Sequence, residues 1–126
     1  MKSKLEIYAL AVCFTSVVCL VISVGIAGYN IIEIINPELT IGSYVYNTLQ
    51  SNDSFWESRK CNNESKVLPV RPPEEELSKK RKEALAIALK GEKREGFQSL
   101  VKTLMFILAG GIALLVHWKI AKKART

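Results

Sequence analysis

One histidine, His117, and three cysteines, Cys13, Cys19 and Cys61, are the side chains from which nucleophilic or metal chemistry could be built. Such chemistry needs a nucleophile beside a base, or imidazoles and thiolates at short, regular spacing. Cys13 and Cys19 lie in a stretch without charge and Cys61 stands alone far downstream, so neither zinc-type spacing nor a disulfide framework is present. His117 precedes Trp118 and Lys119 at the edge of an apolar run, where an imidazole reads as an interfacial anchor rather than a proton relay. Glu74, Glu75 and Glu76 follow Pro72 and Pro73 and read as the acidic first turn of a helix, not as acid and base. With no glycine-rich phosphate loop either, the residue types point to no enzyme, no cofactor, no metal and no small-molecule substrate.

What the spacing supports is helix packing. Ser16, Cys19, Ser23, Ile26, Asn30 and Glu33 recur at intervals of three and four, and Thr103, Phe106, Gly110, Ala113 and His117 answer them at the same intervals. In lipid, helices associate through small residues that let backbones approach and through polar side chains that bond across the contact. Gly110 and Gly111 are therefore the expected point of closest approach. An ion pair between Glu33 and Lys102 is expected near the outer interface. Tyr29, His117 and Trp118 are the expected interface anchors.

The elements that must carry this seam are two apolar runs. No charged residue occurs between Ile7 and Ile32, nor between Thr103 and Trp118. About 20 apolar residues at about 1.5 Å rise cross a hydrocarbon core, so the first run spans with room for tilt. The second reaches spanning length when Leu100 and Val101 count and Lys102 and Lys119 extend their amines to the interfaces. A cleaved signal peptide is the alternative for the first run, given basic Lys2 and Lys4 and small residues around Ala27, but the uncharged stretch is long for one.

Lys2 and Lys4 precede the first run and Lys119, Lys122, Lys123 and Arg125 close the chain, so the positive-inside rule puts both termini in the cytoplasm. The net charge of +6 is not a nucleic-acid signal: residues 36–99 hold eleven basic and ten acidic side chains, and the excess sits at the termini and the membrane edge.

Between the runs, Asn36 and Pro37 predict a turn, and Ser43 is a candidate cap for a helix through "SYVYNTLQ" that brings Val45, Leu49 and Trp56 near one face. A short strand through "SYVY" is the rival. "RKCNNESKVLPVRPP" is a polar, proline-punctuated connection, and Asn52 and Asn63 head sequons that a eukaryotic secretory lumen could glycosylate. A second helix then starts after Pro73, supported by Glu75–Lys79 and Glu76–Lys80 pairs and presenting Leu77, Ala84, Leu85 and Ala88 as a partner-facing stripe. If neither Gly91 nor Gly96 breaks it, it continues into the second run as one helix on the order of 75 Å long.

The stretches "KLEIYALAVCF", "GYNIIEIINPELTIGSY", "ALAIALKGEKREGFQSLVK" and "VHWKIAKK" resemble a family of small uncharacterised bacterial inner-membrane proteins with two transmembrane helices. That likeness implies two spans enclosing a periplasmic helical segment, and it carries no catalytic residues to transfer.

The reading is thus an all-α membrane helical hairpin: tail and first transmembrane helix in 1–35, an extracytoplasmic helical segment in 36–99, the second transmembrane helix in 100–120 and a basic cytoplasmic tail in 121–126. The expected function is non-enzymatic, an accessory or scaffolding subunit of a membrane complex or a self-associating oligomer, with the lipid bilayer and another membrane protein or copies of itself as partners. An oligomeric pore is the alternative.

Overall fold

The structure is a computed structural model that describes residues 3–62 and 70–125. Lys2, the Asn63 sequon and the middle of the polar connection lie outside the described residues. Elsewhere the chain is helical, in the order α1 (Lys4–Ile35), a 3-10 turn (Pro37–Leu39), α2 (Ser43–Thr48), α3 (Asn52–Asn62) and α4 (Glu74–Arg125), with no strand among the described residues. The rival strand through "SYVY" is thereby replaced by helix.

Each boundary has a local cause. Ser3 starts α1 by accepting a hydrogen bond from the Glu6 amide at 3.1 Å, the serine half of an S-x-x-E cap. Pro37 ends it, because the residue before a proline is pushed out of the helical region and Asn36 adopts φ −134°, ψ 74°. Gly42, not Ser43, occupies the N-cap position of α2, and α2 stops after six residues instead of running on toward Trp56. The interruption belongs to Ser51, whose hydroxyl accepts from the Ser54 amide at 3.2 Å and caps a new helix, α3. Helix α4 starts directly after Pro73, whose carbonyl accepts from the Leu77 amide. Its first turn holds three glutamates and its last turn Lys122, Lys123 and Arg125, each matched to the helix dipole. Gly91 and Gly96 do not interrupt it. Of the two supporting pairs expected, Glu76–Lys80 forms at 2.6 Å, while Glu75 and Lys79 form no ion pair among the described residues.

The chain divides into two compact units, Met1–Ile31 with Gly96–Thr126, and Ile32–Glu95. In the first, α1 and the C-terminal part of α4 pair in a hairpin-like, antiparallel way: Glu6 meets Arg125, Tyr8 meets His117, Cys13 meets Leu114 and Asn30 meets Thr103. In the second, Leu49, Phe55, Trp56 and Leu77 form the core, with Ala84, Leu85 and Ala88 packed against it. Both α1 and α4 are long and apolar enough to cross a membrane.

Candidate functional site

In the first unit the contact line on α1 runs through Glu6, Ala9, Cys13, Ser16 and Asn30, all buried, with Leu20 and Ser23 half-buried between them. This is the three-and-four rhythm of a helix face. It differs from the expected seam at two steps: Cys19 is exposed, and Leu20 occupies the contact in its place. Ile26, also expected on the seam, is exposed. On α4 the line holds Thr103 and Ala121, both buried, with Gly110, Ala113, Leu114 and His117 half-buried. Phe106 turns outward.

Glycine matters at one of its two neighbouring positions. A Cβ on Gly110 would stand 3.2 Å from Leu20 Cδ2, so the bare backbone is what lets the leucine in. A Cβ on Gly111 would meet nothing within 4 Å, so Gly111 is not the point of closest approach.

Several polar groups on this line find partners inside the pair. Asn30 Nδ2 donates to Thr103 Oγ1 at 3.4 Å, and Thr103 Oγ1 donates to the Ser99 carbonyl at 2.8 Å. Glu6, buried, meets the Arg125 guanidinium at 3.3 Å. His117 Nδ1 lies 2.8 Å from the Ala113 carbonyl, which only accepts, so that nitrogen carries the proton. The ring also stands edge-on to Tyr8, centroids 5.9 Å apart. The one imidazole is thus held by its own helix and an aromatic neighbour, while Tyr29 and Trp118 are exposed.

In the second unit the stripe Leu77, Ala84, Leu85 and Ala88, expected to face a partner, is covered by this chain's own Leu49, Phe55 and Trp56. Arg81 fastens the cover: its guanidinium donates to the Leu49 and Gln50 carbonyls at 2.8 and 3.1 Å and to Asn52 Oδ1 at 2.9 Å. Asn52 Nδ2 in turn donates to Glu74 Oε2 and Ser78 Oγ, both at 2.9 Å. That amide is therefore held by internal bonds on both its oxygen and its nitrogen. The Asn52 hydrogen bond, followed by the Arg71 guanidinium, holds the Glu74 carboxyl below the ordinary carboxylate range. Arg71 also bonds Asp53 at 2.7 Å.

Glu33 and Lys102, expected as a pair, belong to different units. Within its own unit Glu33 is buried beside Glu92 and Glu95. The sequence reading missed this trio. Glu92 and Glu95 were legible as neighbours on a helix face, whereas their meeting with Glu33 depends on a fold-level approach of distant segments.

No family model, curated protein or solved structure matches the chain, so the likeness to small two-span bacterial inner-membrane proteins stands on its sequence stretches alone.

Proposed function

We propose that this protein is a non-enzymatic integral membrane protein that works by helix packing, as an accessory or scaffolding subunit of a membrane complex or as a self-associating oligomer. One observation carries the reading: the polarity of the first unit is inverted. Ser16, Asn30 and Thr103 are buried in the helix pair, while Phe14, Val21, Phe106, Ile112 and Leu115 are exposed. Only 17% of the most apolar window of α1 and 6% of that of α4 is buried, which argues against core helices of a water-soluble fold. Side chains of this kind are stable outward in hydrocarbon and costly in water.

On this reading α1 and the 100–120 stretch of α4 form a transmembrane hairpin in a bacterial inner membrane, with both termini cytoplasmic and residues 36–99 periplasmic. The hairpin's own contact uses the small and polar residues. A partner span would therefore meet the aliphatic and aromatic outer faces, by van der Waals packing rather than polar bonding.

Two measurements test this. Cys61 is exposed on α3, so a membrane-impermeant maleimide should label it in intact spheroplasts, with Cys13 and Cys19 shielded by lipid. Labelling of Cys61 only after permeabilisation would reverse the topology. Mild detergent extraction should then give either a defined oligomer mass or a stoichiometric second membrane protein. A lone monomer at every detergent concentration would sink the scaffolding role.

A further inference from the structure

Glu92 and Glu95 stand three residues apart on α4, so their side chains leave the helix on one side. Glu33, in the last turn of α1, joins them, with one carboxylate oxygen from each within 4.8 Å of the other two. Glu33 is only 8% exposed, and among the described residues no hydrogen bond or ion pair reaches its carboxylate. A carboxylate on a side chain packed this closely, with only a small opening to water and no donor, is a costly arrangement, and two further anions beside it increase the cost. The last turn of α1 adds the negative end of the helix dipole and holds no basic residue. Lys90, Lys93 and Arg94, on the same stretch of α4, are exposed and form no ion pair with the three glutamates among the described residues. Among the described residues, no cation pairs with the trio.

We propose that Glu33, Glu92 and Glu95 form a divalent-cation site suited to calcium. Calcium takes oxygen ligands at about 2.3–2.6 Å, so oxygens on opposite sides of one ion stand roughly 4.6–5.2 Å apart, a span the three carboxylates fit within. Magnesium demands shorter, near-octahedral coordination and keeps much of its water, so it fits a three-carboxylate cage less well. The all-oxygen donor set, without thiolate or imidazole, selects hard cations over zinc or copper. Glu92 is half-buried and Glu95 exposed, which leaves a solvent-side entry to the buried Glu33. Bound there, the ion ties the end of α1 to α4. All three glutamates belong to the second unit, and only the affinity expected below rests on the proposed periplasmic placement of that unit.

The test uses the full-length protein in micelles of an uncharged detergent, stripped with chelator. Equilibrium dialysis against radioactive calcium should give one ion per chain, at an affinity of roughly 10⁻⁴–10⁻³ M, as for other externally facing calcium modules. Calcium should raise the thermal midpoint, and sodium chloride of equal ionic strength should not. Glu33→Gln should weaken binding at least about tenfold, as expected when a charged ligand is lost. If Glu33→Gln fails to fold, the double variant Glu92→Gln, Glu95→Gln serves the same purpose at more exposed positions. Absence of bound calcium at about 10 mM, well above that affinity range, would overturn the site. So would a variant that binds as tightly as the parent, or a Glu33→Gln protein that is merely more stable while the parent binds no ion.

Discussion

At the residue scale, Gly110 and Gly111 are neighbours with opposite surroundings. Leu20 fills the space beside Gly110, whereas Gly111 faces open space. Gly110→Ile should therefore weaken the pairing of α1 with α4 by about 1–3 kcal/mol through overpacking, while Gly111→Ala should change it by less than about 0.5 kcal/mol. Reversible unfolding in bicelles reads both. Asn30→Val should cost about 0.6–1.7 kcal/mol in the same assay, the range for polar contacts between membrane helices. Glu74 belongs to the aqueous part of the chain and gives a pH signature. Its folded pKa lies below the unfolded value near 4.5, so its contribution is present above that pH and is lost as the pH falls through the folded pKa. The carboxylate is exposed, so the effect is small and fades with salt. Glu74→Gln should flatten the acid limb of a pH-resolved melt at low salt and leave the neutral midpoint nearly unchanged.

At the element scale, the informative case is the segment from Ser43 to Asn62. Its apolar spacing as far as Trp56 predicts one helix, with a polar connection from Arg59, and the residues expected to share a face do enter the core: Leu49 and Trp56 are both buried. They do so from two helices, because Ser51 breaks the run by capping α3. The signal was present in the sequence, since serine is a favoured N-cap, but capping competes with continued helix and only tertiary packing decides between them. The fate of the Leu77 to Ala88 stripe has the same cause. Periodicity shows that a face is apolar, not what covers it, and here α2 and α3 provide the cover. Leu77, 1% exposed at the centre of that contact, is the residue whose loss should matter most. Leu77→Ala should destabilise the second unit by about 2–5 kcal/mol. Trp56 fluorescence, isolated by a Trp118→Phe background, reports it directly.

At the scale of the whole molecule, the two apolar runs were legible because absence of charge over a membrane's width needs no tertiary information. The exact contact line was not: in a helix nearly uniform in hydrophobicity, Cys19 and Leu20 are equally plausible from spacing alone, and the choice depends on the partner's shape at Gly110. The acidic trio was hidden for a different reason, since no sequence rule relates Glu33 to residues so far along the chain. The membrane reading makes one demand of the intact protein: it should remain in the pellet after an alkaline carbonate wash, which releases peripheral and monotopic attachments but not spanning helices.

Arg125 and Glu6, 119 positions apart along the chain, meet across a 3.3 Å gap. Cysteines placed at positions 6 and 125 should therefore be joined within one chain by a short bifunctional maleimide, a covalent readout of the pairing of α1 with α4.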